Sequence, residues 1–426
     1  MNIEYKIKVL WFSNCLLSES DITSTGTWIQ SMAEGLMSLN RIELAVITFA
    51  NVSRFTRKDF REVKQWLVPI RERLGENGLP AKRLVKEIIQ ICTEFKPDLV
   101  HIWGVESFWG LLTARKYLRV PALLEMQGMK MACAKHMTAD MTVNELLSCI
   151  GIKEIIKFKT IVLQKNDYVR WGKYEKEIIS GHCYIDVQSE WTSAYVIASQ
   201  PKAKQYYVDL VLRKSFYAAI PWNDFENERN HNQRSTYIFI SSSGATTYKG
   251  LHVAFRALAE LKKEFPVIRL RIAGNINKKG LYQDGYVRWI KHMSRKLNIE
   301  DSIDWLGSLN ADQIINELQH CQVNLVCSFV ESYCLALAEP MYLGVPCVSS
   351  FNGGTSWIGK DEETVLFFQP GDSVMCAHKI SRILRESQLA CYLSKNAREL
   401  GLRRHNPKTI IERQMFIYNE IIKDKI

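Results

Sequence analysis

The most restrictive feature of this sequence is a recurring alternation. Short runs rich in β-branched and aliphatic residues are each followed by a stretch with helical spacing. The runs are IKVLWFS, ELAVITF, DLVHIWG, ALLEMQG and CYIDVQS in the first half, and TYIFISS, RLRIAGN, IDWLGS, VNLVCS and PCVSS in the second. A strand that is apolar at nearly every position, rather than at every second one, must be covered on both faces. Strands of that kind joined by helices form parallel, doubly wound sheets. A chain of 426 residues is too long for one ordinary core, so two such domains are expected. The polar stretch WNDFENERNHNQRS carries no apolar period and reads as the linker between them. The expected division is residues 1–221, a linker at 222–235, and residues 236–406. The last segment, 407–426, places Ile411, Met415, Tyr418 and Ile422 on one helical face with no strand after it. It must therefore pack on a domain already built.

Composition narrows the class. With 47% hydrophobic and 24% charged residues the chain is globular, and it has no apolar run of transmembrane length. The opening MNIEYKIKVLWFS lacks the long apolar core of a signal peptide. Eleven cysteines include no CxxC pair, and several lie in expected strands, such as Cys183 and Cys347. Buried, reduced thiols are expected, rather than disulfides or zinc ligands. Nine histidines show no metal-ligand spacing, so no metal site is expected. The net charge of +11 suits phosphates of any kind, from nucleotides to anionic lipid headgroups. Basic residues interleaved with aromatics, as single-stranded nucleic acid requires, are not evident, so no nucleic-acid partner is expected.

In open α/β sheets, ligands bind beyond the carboxyl ends of the strands, where helix N-termini point. Three segments occupy such positions. TSTGTWIQ, Thr23 to Gln30, follows the first strand; Gly26 there would let backbone approach a ligand, although a plain turn would also explain it. SSSGATTYKGLHVAF, Ser241 to Phe255, follows a strand in the second half, and its Lys249 could hold a phosphate beside a helix N-terminus. The third is ESYCLALAEPMYLGVPCVSSFNGG, Glu331 to Gly354. Pro340 would break a helix interior, so the helix there should begin near Leu335 to Leu337 or be kinked. Glu331 then lies in the loop before the helix and Glu339 about one turn inside. The free N–H groups between them suit a pyrophosphate, and each carboxylate can accept hydrogen bonds from vicinal hydroxyls. A sugar at one end and a ribose at the other would match.

This glutamate pair, with GVP after it and the turn Asn352-Gly353-Gly354 following, resembles the donor-site signature of retaining glycosyltransferases with the GT-B fold, specifically glycosyltransferase family 4 (glycosyl transferases group 1). YKGLHVAFRALAELKKEFPVIRLRIAGN is typical of the same group, and KPDLVHIWG, ALLEMQG and the Gly26 loop are similar to its first domain. The resemblance implies two facing Rossmann-like domains, an acceptor-side first domain and a donor-binding second one, with the C-terminal helix crossing back to the first. It implies a nucleoside-diphosphate sugar as donor, a glycan or lipid-linked acceptor, retention of configuration and no cofactor or metal. Residue by residue, Glu331 matches the glutamate on the donor sugar, Glu339 the one on the ribose hydroxyls, and Lys249 the lysine on the phosphates. Tyr333, Cys334, Leu335 and Ala336 would offer backbone donors to the pyrophosphate. Ser243 and Gly244 lie in the loop before Lys249, Gly353 in the turn after the helix, and Gly26 in the loop beneath the donor. Gln127-Gly128 stands where many members have His-Gly, and no arginine occupies Gly244 to Tyr248.

Two other readings stay open on sequence: a nucleotide-sugar 2-epimerase of the same fold, and a non-catalytic subunit that binds sugar nucleotides. Met129 to Ile179 is too long for a plain crossover, and its run LLSCIGIKEIIKFKTIVLQK alternates apolar clusters with lysines. A basic amphipathic helix at an anionic membrane surface would read this way, as would a helix packed on the sheet with its lysines in water. The resulting expectation is a cytoplasmic protein, with peripheral attachment at the inner face of the plasma membrane as a further possibility, in polysaccharide or glycoconjugate synthesis.

Overall fold

The computed structural model describes residues 6–18, 28–70, 72–223, 236–241, 246–274 and 283–424. The alternation read from the sequence is present as two separate sheets. In the first, β1 (Ile7–Ser13), β2 (Ile42–Ala50), β3 (Thr56–Arg57), β4 (Lys64–Pro69), β5 (Leu99–Trp103), β6 (Ala122–Met126), β7 (Tyr184–Val187) and β8 (Lys204–Tyr206) lie in the order β3-β4-β2-β1-β5-β6-β7-β8. All its neighbours are parallel except the short edge pair β3–β4. In the second, β9 (Tyr237–Ile240), β10 (Arg269–Ala273), β11 (Ile303–Gly307), β12 (Val323–Val326), β13 (Cys347–Ser350) and β14 (Leu366–Phe368) lie in the order β11-β10-β9-β12-β13-β14, all parallel. Both are doubly wound. The strand order reverses between β1 and β5 in one sheet and between β9 and β12 in the other. These reversals are where crevices open at strand ends.

The chain divides into two compact units: residues 1–131, 169–213 and 405–426, and residues 132–168 and 214–404. The C-terminal helix Pro407–Lys423 lies in the first unit and packs beside the helix Trp28–Ser38 and β5. Its buried Tyr418 accepts a hydrogen bond from Trp11 Nε1 at 3.1 Å and meets His101 Nδ1 at 2.7 Å. The boundary expected at 221/222 is displaced. The chain enters the second unit at Lys214, where the helix Lys214–Ala218 packs, and Trp222 is buried there with its indole N–H on the Cys321 carbonyl at 2.9 Å. A larger correction concerns residues 132–168, expected in the first domain. They belong to the second unit because buried polar groups bind them to it. Thr247 Oγ1 donates to the Met137 carbonyl, and His252 Nε2 lies 3.0 Å from the Ala139 carbonyl. Arg256 pairs with Glu145 at 2.7 Å, and Glu154 accepts from the Gly285 N–H at 3.0 Å. All eleven cysteines are free thiols; Cys347 is buried on β13, but Cys183, just ahead of β7, is exposed.

One buried feature of the first sheet is electrostatic. Glu125 on β6 and Asp186 on β7 are register partners and both are buried. Desolvation raises both carboxyls above their ordinary range, and for Glu125 the neighbouring Asp186 adds to it. Burial also lowers His101 well below its usual value. The 3.7 Å approach of His101 to Glu125 is therefore a contact of neutral groups rather than an ion pair. A carboxyl kept protonated in the fold but ionised when unfolded makes stability fall as pH rises above the ordinary carboxylate range, near pH 4. Asp186→Asn is expected to flatten the fall of unfolding free energy between about pH 5 and pH 8, by up to roughly 1.4 kcal/mol per pH unit over the window in which one proton is released, as followed by melting curves at each pH. Parallel melting curves for wild type and variant would show that the pair does not titrate with folding.

Candidate functional site

The reversal of the second sheet gathers two loops. One follows β9 and ends in the single turn Thr247–Lys249 with Gly250. The other follows β12 and runs into the helix Leu335–Leu343. Their backbones meet: Phe329 N donates to the Tyr248 carbonyl at 2.8 Å. Gly250 has φ of 72°, and a Cβ there would lie 2.1 Å from the Cys327 carbonyl oxygen. No side chain fits, so glycine is required at both the torsion and the contact. This approach delivers Lys249 to the loop carrying Glu331, and their side chains pair at 2.6 Å. Both are partly covered, with side chains 28% and 14% exposed. Burial is the largest single influence and works to depress the Lys249 ammonium, but the Glu331 charge and hydrogen bond together with smaller neighbouring contributions hold Lys249 above its usual value.

The helix Leu335–Leu343 begins at the first of the positions expected and contains Pro340. Proline removes the N–H that would bond the Ala336 carbonyl. That carbonyl is instead taken by the Asn324 side chain of β12, at 3.0 Å. A buried asparagine in an apolar strand thus completes the helix, and the polar residue in VNLVCS was the sequence signal for it. The helix starts from Cys334 in a left-handed conformation, φ 94°, which is strained for any residue but glycine. Leu335 and Ala336 are only half-buried, and their N–H groups precede the first intrahelical bond, whose acceptor is the Cys334 carbonyl. Tyr333 is buried, and burial pushes the Cys334 thiol well up, so that sulfur stays protonated. Glu339 is also buried, one turn into the helix.

The NGG turn has a mechanical role. Gly354 N donates to the Glu331 carbonyl at 2.8 Å, and a Cβ on Gly354 would stand 2.6 Å from backbone atoms of Ser332 and Tyr333. Asn352 Nδ2 and Ser350 Oγ both donate to the Ser328 carbonyl, at 2.8 and 2.5 Å. The loop before the helix is therefore clamped from behind by β13 and the turn after it. Gly353, the glycine singled out from sequence, accepts from Ser356 Oγ, whereas Gly354 makes the close approach.

Gln127 lies in the first unit, at the end of β6, and its Nε2 is buried with no hydrogen-bond partner among the described residues. It is accompanied there by residues that the sequence analysis missed. Glu106, just after β5, accepts from the Gly128 N–H at 2.8 Å through one oxygen, while its other oxygen and the Ser107 hydroxyl are buried with no partner among the described residues. Desolvation raises the Glu106 carboxyl, against backbone donors that pull it down. A glutamate immediately after an apolar strand was the available signal. Gly26, Ser243 and Gly244 fall outside the described residues.

Residues 223–400 match the family model of glycosyl transferases group 1. The chain carries a glycosyl transferases group 1 domain. It is 27% identical over 135 residues to N-acetyl-alpha-D-glucosaminyl L-malate synthase of Bacillus anthracis, covering 32% of this chain and 35% of that protein. It is 26% identical over 193 residues to Protein CapJ of Staphylococcus aureus, covering 44% and 46%. The matches thus span between a third and a half of these relatives. In structure it is similar to sucrose-phosphate synthase from Thermosynechococcus elongatus, with a TM-score of 0.72 at 16% identity over 98% of this chain and 100% of that one. Anabaena HepE, solved with UDP and glucose, gives 0.67 at 16% identity over 96% and 98%. These likenesses establish the fold as GT-B.

Two substitutions check the geometry. Asn324→Ala leaves the Ala336 carbonyl without its partner and should cost about 1–3 kcal/mol. Gly354→Ala should lower the melting temperature of the group 1 domain by several degrees, because the new Cβ meets backbone rather than a movable side chain. An unchanged melt for Gly354→Ala would show that the Ser332–Tyr333 loop yields without cost.

Proposed function

We propose that the protein is a retaining glycosyltransferase of the family 4 type, which moves a hexose-type sugar from a nucleoside-diphosphate sugar to a hydroxyl of a glycan or lipid-linked acceptor. The observation that carries this reading is the Lys249–Glu331 pair beside the open N-terminal turn of the helix Leu335–Leu343, at the strand reversal of the second sheet. Departure of a nucleoside diphosphate gathers negative charge on the pyrophosphate and positive charge on the sugar ring. The Lys249 ammonium and the N–H groups of Leu335 and Ala336 are fixed donors for the first. Glu331, held by the Gly354 clamp, orients the sugar hydroxyls, and Glu339 takes the ribose hydroxyls. With these groups meeting the leaving-group charge, the reading requires neither metal nor cofactor.

Lys249 and Glu331 neutralise each other in the structure. A bound donor would place its phosphate charge on the Lys249 side and its hydroxyls on the Glu331 side, so that both ions keep a partner. In the first unit, Gln127, Glu106 and Ser107 present polar atoms without a partner among the described residues, suited to acceptor hydroxyls. Among the described residues no helix is long and apolar enough to cross a membrane. The reading places the enzyme in the cytoplasm, peripheral at the inner face of the plasma membrane when the acceptor is lipid-linked, in cell-surface polysaccharide or glycoconjugate synthesis.

A panel of UDP- and GDP-sugars screened by thermal shift, followed by a transfer assay with the donor that stabilises, tests the reading. Lys249→Ala and Glu331→Ala should each lower transfer at least a hundredfold with little change in melting temperature. Glu339→Ala should weaken nucleotide binding about tenfold or more. Near-normal transfer by either Lys249→Ala or Glu331→Ala would remove the assignment, and conversion of the nucleotide sugar to its epimer without transfer would replace it.

A further inference from the structure

Nine large apolar side chains stand exposed within residues 143–163, whereas elsewhere among the described residues such side chains are scattered. Ile152 is 53% exposed, Ile155 62%, Ile156 70% and Phe158 79%. Phe158 sits on the turn between the helix Ile152–Ile156 and the helix Ile161–Ser180, with φ of 48°, a left-handed conformation that non-glycine residues seldom adopt. Contiguous apolar exposure of this kind marks a surface with a partner.

The charges sort by side except for Lys153, which is turned inward onto Asp284 at 3.3 Å. Glu145 and Glu154 point into the second unit, where Glu145 pairs with Arg256 and Glu154 accepts from the Gly285 N–H. Each also accepts from the backbone N–H at the start of its own helix, Glu145 from Thr142 at 2.8 Å and Glu154 from Gly151 at 3.0 Å. With those carboxylates turned inward, the outer face keeps Lys157 and Lys159 exposed beside Ile155, Ile156 and Phe158. Apolar side chains at a turn tip with cations at their flanks fit a bilayer interface, where the apolar groups enter the acyl boundary and the ammonium groups meet lipid phosphates. A second copy of the same face would set lysine against lysine.

We propose that residues 143–163 form a docking surface for an anionic lipid bilayer, with Ile155, Ile156 and Phe158 inserted and Lys157 and Lys159 on the headgroups. The segment is fastened to the second unit through Glu145 on Arg256 of the helix Leu251–Leu261, Glu154 on the Gly285 N–H and Lys153 on Asp284. A lipid surface held there would be rigidly coupled to the group 1 domain. The proposal goes beyond the catalytic reading and is independent of it, since vesicle binding needs no donor.

The test is co-sedimentation of the full chain with vesicles of phosphatidylcholine alone or with about a third phosphatidylglycerol, at low and high salt, where screening lengths differ severalfold. Wild type should pellet with anionic vesicles at low salt and release at high salt. The combined variant Ile155→Ser, Ile156→Ser, Phe158→Ser and the combined variant Lys157→Glu, Lys159→Glu should each lose at least tenfold in bound fraction. Both should melt as wild type does, since these side chains already lie in solvent. Failure to pellet, equal pelleting with neutral and anionic vesicles, or binding untouched by either variant would overturn the proposal. A dimer in solution that the apolar variant dissociates, with no vesicle binding, would overturn it in favour of a second copy.

Discussion

Two backbone segments touch where β9 and β12 end, and only a glycine allows it. Gly250 lies against the Cys327 carbonyl, and from that contact the site follows. It sets the depth at which the turn Thr247–Lys249 sits, and so brings Lys249 to Glu331. It also starts the helix Leu251–Leu261, whose apolar face is buried beneath the sheet. The second close approach, Gly354 against Ser332 and Tyr333, fixes the other side of the same loop. Catalysis of group transfer from a charged leaving group depends on donors that need not reorganise. In the proposed donor site that rigidity comes from backbone packing at two glycines.

Two groups of buried polar residues show the alternatives: a polar atom is matched, or a charge is lost. Asn324 meets the carbonyl that Pro340 abandons, so a helix with a proline six residues in can still be buried along most of its length. Glu125, Asp186 and His101 have no such neutralising partners and respond by changing protonation. They also mark where the C-terminal helix is received, through Tyr418. That helix, which has no strand of its own, is held by a buried phenol as well as by its apolar stripe.

The segment 132–168 shows how charge pattern and packing separate. In sequence its glutamates and lysines look like the mixed surface of an amphipathic helix. In the structure Glu145 and Glu154 are consumed as helix-start acceptors and partners within the second unit, Lys153 pairs with Asp284, and Lys157 and Lys159 are left outside with the apolar side chains. The face that results is more basic and more apolar than its composition suggests.

Periodicity along the chain determined the class of fold by itself. Strands apolar at every position must lie inside parallel sheets, and the helix beginning at Leu335 followed from Pro340 and the spacing around it. Lys249, Glu331 and Glu339 stand out in the sequence because they interrupt the apolar and helical patterns that follow strands. Tertiary structure alone decided that Lys249 pairs with Glu331, that Gly354 rather than Gly353 makes the close contact, and that Glu106 and Ser107 accompany Gln127. It also decided which unit holds residues 132–168. The reason is physical: local spacing encodes which face of an element must be buried, but not what covers it. Contacts between residues a hundred positions apart, such as Arg256 with Glu145, leave no periodic trace in either segment.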